Sequence, residues 1–236
     1  MPILLALRKK FMLDRLVAIE KELFLWLNSP HHPILDQLMW GVTNSILFVP
    51  FILFFIYALT QRKHWRQWVP ALIAFAFIPL LGDFVTSTLF KPNFARFRPT
   101  HYPGVMEQVK TVYGYVGGLY GFISGHSANA FGFAMFSSLL FKRRRYSIVL
   151  YLWALLVVYS RIYLGVHFIT DVIPGILVGL LNGVLVYWAY TSYLKLQKHD
   201  EAGRVIGFQT PKLNLFIAFL LLFLIAATLW SAKLIG

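Results

Sequence analysis

Of the 236 residues, 58% are hydrophobic, 17% aromatic and only 13% charged, where soluble domains carry roughly a quarter charged residues; this excludes an ordinary soluble fold and implies a polytopic membrane protein. The 22 Lys and Arg outnumber nine Asp and Glu for a formal charge of +13, and because the cations sit in short loops between apolar runs, the anionic partner they imply is lipid and not nucleic acid. With no cysteine, disulfides, thiolate metal sites and a cysteine nucleophile are excluded.

In chain order, residues 1–33 come first. Ile3, Leu4, Leu7, Phe11, Leu13 and Leu16 are mixed with Arg8, Lys9, Lys10, Asp14, Arg15, Glu20, Lys21 and Glu22. Those charges are too frequent for a span and predict an amphipathic helix lying on the membrane. The segment lacks the basic, apolar, small-residue order of a signal peptide, so the first apolar spans are expected to direct insertion. Apolar runs of spanning length follow at residues 34–60, 69–90, 120–141, 148–164, 169–193 and 213–234. The expected fold is therefore all-α, a polytopic membrane helical bundle of about six transmembrane helices. Residues 1–236 are read as a single membrane-embedded domain.

The loops alternate in character. Arg62, Lys63 and Arg66, then Lys142 to Arg145, then Lys195, Lys198, Arg204 and Lys212 mark cytoplasmic connections, which leaves residues 91–119 and 160–168 on the opposite side. The first of these outer loops, about thirty residues without periodicity, is long enough to suggest a functional role. Three polar fragments fall on this side: Lys91 with Arg98-Pro99, then Ser124-Gly125-His126, then Ser160-Arg161 with His167 and Asp171.

Cations on the side that the charge rule leaves poor in them need an anionic partner. Guanidinium groups match phosphate oxygens in pairs and a lysine adds a point charge, so Lys91, Arg98 and Arg161 suit a phosphate dianion and its more negative transition state. Arg96 is either a fourth phosphate contact or a headgroup anchor, and the anchor is the favoured reading. Ser124 is placed as an N-cap, and the amides at the helix start, with Gly125 allowing close approach, form an anion site. His126 would stand one step from the bound group, suited to give a proton to the departing oxygen. His167 and Asp171 are four residues apart, a spacing that on a helix puts them on one face. The carboxylate then fixes the imidazole tautomer and leaves the other nitrogen free to attack phosphorus. Asp83 is expected to pair with a motif cation or a polar neighbour. His31, His32, His64, His101 and His199 are assigned to loops and interfaces. The few acids form no paired carboxylate cage, so a reaction without metal or other cofactor is expected.

These fragments resemble the three signatures of the type 2 phosphatidic acid phosphatase superfamily, which includes bacterial undecaprenyl-diphosphate, phosphatidylglycerophosphate and lipid A phosphatases and vanadium haloperoxidases. The resemblance covers about residues 91–171, the catalytic motif region. The first and third signatures match fully, whereas Ile123 stands where the family usually has proline before Ser-Gly-His. The resemblance implies a helical bundle with its site at one membrane face. It implies that Lys91, Arg98 and Arg161 bind phosphate, with Ser124 and Gly125 helping through hydroxyl and amide. His126 is implied as acid, His167 as the nucleophile that forms a phosphohistidine, and Asp171 as its orienting group. The leading expected substrate is undecaprenyl diphosphate, with lipid A, phosphatidylglycerophosphate and phosphatidate as alternatives and a lipid phosphotransferase as the nearest variant. A carrier or flippase that binds lipid phosphate without cleaving it is the reading from another class. The expected location is a bacterial cytoplasmic membrane, with the site facing the periplasm or exterior.

Overall fold

A computed structural model describes residues 2–43, 52, 55–57, 59, 65–196, 222, 225 and 228. The apolar run at 213–234, the basic residues Arg62, Lys63, Lys198, Arg204 and Lys212, and His64 and His199 fall essentially outside the described residues. Seven α-helices are described: α1 (Pro2–Asn28), α2 (Pro33–Thr43), α3 (Trp65–Asp83), α4 (Lys91–Phe94), α5 (Gly125–Phe141), α6 (Arg144–Tyr163) and α7 (Ile169–Leu196). Between α3 and α4 the helix passes through a π-helical segment, Phe84–Phe90, a local widening often found beside functional sites.

Among the described residues, three helical stretches are long and apolar enough to cross a bilayer: Trp68–Phe94, Arg144–Tyr163 and Ile169–Leu196. Helix α5 is shorter, with 17 residues, and is the buried centre of the bundle. Ala128, Ala130, Phe131, Phe133, Ala134 and Phe136 on several of its faces are all buried, as expected for a helix that is apolar all round. It packs against α3, α6 and α7.

The α5–α7 contact is built from missing side chains. Gly175, Gly179 and Gly183 recur every four residues on α7, and a Cβ at each would lie 2.7 Å from the Ser124 carbonyl oxygen, 2.3 Å from that of Ala128 and 2.6 Å from that of Gly132. Small residues at this spacing let two helices in a membrane approach until their backbones touch. The result brings the N-terminal ends of α5 and α7 side by side, where His126 and Asp171 sit.

Two sequence expectations change here. The run at 120–141 becomes helical only at Gly125, because Tyr120 pairs with Phe97 in an isolated bridge and Gly121 donates its amide to the Arg96 carbonyl at 2.9 Å. The N-terminal helix forms as expected, yet it is docked on the bundle by a stripe of Val17, Glu20, Phe24 and Asn28, all buried. The Asn28 side chain donates to the carbonyls of Tyr163 at 2.8 Å and Lys110 at 3.0 Å and accepts from the Lys110 amide at 2.8 Å. That tie joins α1 to the end of α6 and to the long outer loop.

Replacing Gly179 by Ala is expected to cost about 1–3 kcal/mol through overpacking and to lower the unfolding temperature in detergent. Gly118→Ala, at a position where a Cβ meets nothing within 4 Å, should leave it unchanged.

Candidate active site

One cavity of about 460 Å³ lies at the end of the bundle where α3, α5 and α6 meet. Lys91, Arg98, Arg161, His126 and His167 all line it, together with Gly125, Asp83, Asn129 and Tyr115. Its remaining walls include Phe75, Ile78, Pro79, Phe133, Trp153 and Val157. Three cations and two imidazoles are thus collected from three separate fragments of the chain around a pocket that also has apolar walls. Ser124 and Asp171 do not line it; both are fully buried behind it.

Each side chain is placed by local structure. Lys91 opens α4, and its Nζ donates to Ser87 Oγ at 3.1 Å one turn earlier. Arg98 is held in extended backbone by its amide bond to the Leu119 carbonyl at 3.1 Å. Its Nη1 donates to the Val166 carbonyl at 3.1 Å and stands 3.1 Å from His167 Nε2. Arg161 lies in the last turn of α6, where its Nη1 donates to Thr43 Oγ1 at the end of α2 and the guanidinium sits 6.0 Å from the centre of the Tyr115 ring. Neither Thr43 nor Tyr115 belongs to a sequence fragment. They are contributed by elements that only the fold brings near.

Ser124 is the N-cap of α5, accepting from the Ser127 amide at 3.4 Å and the Ser127 hydroxyl at 3.0 Å. The cap fixes where the helix begins and so sets Gly125 and His126 in its first turn, facing the cavity. Asp83 receives a hydrogen bond from Asn129 Nδ2 at 3.3 Å, the polar neighbour expected for it. His31 pairs with Asp36 at 3.0 Å and stacks on Tyr163, and His101 contacts Thr100 at 3.1 Å; His31, His32 and His101 do not line the cavity.

His167 and Asp171 do meet, but not along one helical face. Helix α7 starts at Ile169, so His167 precedes it. The sharp turn from α6 is made by Gly165 at φ +74°, where a Cβ would come within 2.4 Å of Val109 and 3.0 Å of the Lys110 carbonyl, a conformation and a space suited to glycine. Asp171 is the third residue of α7 and reaches back to accept from the Phe168 amide at 3.0 Å, one half of a capping box. The same oxygen, Oδ2, faces His167 Nδ1 at 3.5 Å, longer than a good hydrogen bond. The helix cap thus aims the carboxylate at the imidazole.

Donor and acceptor roles then assign the tautomer. A guanidinium has only donors, so His167 Nε2, 3.1 Å from Arg98, is the acceptor, and the proton belongs on Nδ1, toward Asp171. Burial is the main cause that pushes the His167 pKa well below the ordinary imidazole value of 6.5, with Arg98, Arg161, Lys91 and Arg96 adding to it. The neutral, nucleophilic form is favoured.

Arg96 is not the headgroup anchor expected from the sequence. It is 2% exposed, and its guanidinium bridges Asp171 Oδ1 at 2.7 Å, Thr170 Oγ1 at 2.6 Å and Glu20 on α1. Sequence reasoning also missed Glu20, although an acid in register with Val17 and Phe24 on one apolar stripe was a signal that it turns inward. Among the described residues no group of three His, Asp or Glu side chains comes together as a metal site.

The PAP2 superfamily matches residues 71–195 of this chain. A lipid A 4'-phosphatase from Porphyromonas gingivalis is 43% identical over 178 residues, 75% of each chain. Another from Bacteroides thetaiotaomicron is 31% identical over 214 residues, covering 89% of this chain and 95% of that one. Among solved structures, Aquifex aeolicus LpxE superposes with a TM-score of 0.54 at 26% identity, over 71% of this chain and 94% of that one. A transmembrane PAP2-type phosphatidylglycerolphosphate phosphatase from Bacillus subtilis superposes with a TM-score of 0.56 at 24% identity, over 85% and 98%. With its apolar helices, the chain is a multi-pass membrane protein of that transmembrane fold.

In nitrogen-15 NMR spectra of histidine-labelled protein in detergent, the signals lost in His167→Gln should be those of a neutral ring protonated at Nδ1, still neutral at pH 6.5. An imidazolium at that pH, or a ring protonated at Nε2, would contradict the assignment.

Proposed function

We propose that this chain, which belongs to the PAP2 superfamily and is a lipid phosphatase, removes a phosphate group from lipid A by way of a phosphohistidine. The observation that carries the chemistry is the convergence of Lys91, Arg98, Arg161, His126 and His167 on one cavity with apolar walls. The headgroup is inferred from the two similar lipid A 4'-phosphatases. They favour lipid A over undecaprenyl diphosphate, the substrate that the sequence put first.

In this reading the phosphate enters between the three cations, and its oxygens take hydrogen bonds from Arg98 and Arg161 and a point charge from Lys91. Bound to Arg98, the phosphorus lies beside Nε2 of His167. The Nε2 lone pair attacks it, the bond between phosphorus and the sugar oxygen breaks, and His126 gives its proton to that oxygen. As the His167 ring gains positive charge, Asp171 stabilises it across Nδ1–H. Water then enters, loses a proton to His126 and displaces the imidazole from phosphorus, which returns the lone pair to Nε2 and frees inorganic phosphate. The bound dianion supplies the charge that lets His126 begin the cycle protonated. The dephosphorylated lipid, having lost the charge that held it, leaves along the apolar wall.

The location that fits is the outer leaflet side of a bacterial cytoplasmic membrane, since the basic Lys142 to Arg145 turn lies at the opposite end of the α5–α6 hairpin from the cavity and basic loops stay cytoplasmic.

The test is phosphate release in detergent, with EDTA present, from lipid A, undecaprenyl diphosphate, phosphatidylglycerophosphate and phosphatidate. Lipid A is expected to have the highest kcat/KM, and His167→Ala to release none. Arg98→Ala and Arg161→Ala should each lower kcat by about 10²–10³, the usual effect of losing a preorganised charge partner. Faster turnover of undecaprenyl diphosphate would return that lipid to first place. Loss of activity on chelation would contradict the metal-free scheme.

A further inference from the structure

The reaction described above uses His167 and Asp171, yet the most tightly bonded part of the site lies behind them. Three charged side chains from distant parts of the chain form a buried row. Glu20 of α1 is 6% exposed, Arg96 of the outer loop 2% and Asp171 of α7 fully buried. Arg96 bonds Asp171 through Nη1 and Glu20 through Nη2. Thr170 is enclosed in the same row: its amide donates to Glu20 Oε2 at 2.9 Å and its hydroxyl to Glu20 Oε1 at 2.7 Å. The Arg96 guanidinium also lies 4.7 Å over the ring of Phe168, the residue next to His167.

Burying such a row is costly unless each charge is paired and bonded, and a buried pair contributes uncertain net stability. Its geometry points to a different use. Asp171 has two carboxylate oxygens with separate duties. Oδ1 is held by Arg96, and Oδ2 is left for the Phe168 amide and His167 Nδ1. Arg96 and Arg98 are two residues apart in extended chain and so project to the same side. One reaches the carboxylate and the other the imidazole. Removing Arg96 would leave Asp171 with Arg98 as its nearby cation, and the carboxylate would then compete with phosphate for that guanidinium.

We propose that Arg96 and Glu20 are positioning residues for phosphoryl transfer: Arg96 holds Asp171 by one oxygen so that the other faces His167, and Glu20 from the N-terminal helix holds Arg96. The docking of α1 on the bundle is thereby tied to the alignment of the nucleophile. This rests on the reading of His167 as nucleophile and Asp171 as its orienting group, and not on which lipid is cleaved.

The test is a double-mutant cycle in the full chain, with R96Q, D171N, the R96Q/D171N double variant, and E20Q alone and with D171N. Phosphate release is measured from lipid A in micelles, or from phosphatidate should lipid A not be turned over, so that a wrong headgroup leaves the cycle intact. Orthovanadate inhibition reports whether the phosphate pocket is still assembled. R96Q is expected to lower kcat roughly 10- to 100-fold, with KM and vanadate inhibition changed by no more than about twofold. E20Q should lower kcat by a smaller factor. Neither should add to the loss already caused by D171N, because residues that act through one group are not additive. If R96Q loses vanadate binding, R96K, which keeps the cation, replaces it in the same cycle. Losses that multiply in the double variant, or a wild-type kcat in R96Q, would overturn the positioning role while leaving the nucleophile reading intact. Unchanged kcat in D171N would overturn both.

Discussion

A carboxylate without access to water organises this site. Asp171 is fully buried, and an ionised carboxylate in such a place must have every lone pair answered. Arg96 answers on one side and the Phe168 amide on the other, with the edge of the His167 ring 3.5 Å away. Its position follows from that need. Gly121 packs so closely that a Cβ there would lie 2.8 Å from Asp171 Oδ2, and the Asp171 carbonyl accepts from the Ser124 amide at 3.0 Å. The residue proposed to orient the nucleophile therefore also fixes the start of α7 and joins it to the start of α5. Helix capping and interhelical contact are properties of one residue, its carboxylate making the first and its carbonyl the second.

Beyond this point the bundle acts as a spacer. The glycine stripe on α7 sets its distance from α5, and α5, a helix with no exposed residue, carries His126 toward the cavity. The three cations come from the ends of other elements: α4, the outer loop and α6. Placing like charges together without a ligand is unfavourable, and the fold tolerates it because Arg98 and Arg161 have carbonyl and hydroxyl partners on their far sides. A phosphate that enters supplies the missing negative charge. In the proposed reaction, binding and transition-state stabilisation share the same electrostatic origin, the second being larger because charge grows on the transferred group.

Much of this was legible in the sequence, for a physical reason. Polar residues in an apolar chain are few, so Lys91, Arg98, His126, Arg161 and His167 stood out, and the structure collects all five around one cavity. What could not be read depended on the chain folding back across long distances. Thr43 beneath Arg161, and Glu20 beside Arg96, lie 118 and 76 residues from their partners. Arg96 looked like one more interfacial cation because its partner was in a segment read as surface helix. The pairing of His167 with Asp171 was anticipated through the wrong geometry: the spacing of four suggested one helical face, whereas the pair is made by a helix cap reaching back over the first turn. The boundary of α5 moved for a similar reason, since Tyr120 to Ser124 are as apolar as a span but spend their backbone bonds on the outer loop and a cap.

The central claim is that the His167 imidazole takes the phosphoryl group covalently. Rapid quenching of the enzyme into base during turnover, followed by mass spectrometry of its peptides, tests this most directly, because phosphohistidine survives alkali. The account predicts a phosphoryl group on His167, at Nε2, that accumulates when His126→Ala slows its hydrolysis and is absent from His167→Gln. A phosphorylated His126, or steady turnover with no phosphoenzyme in either protein, would contradict it.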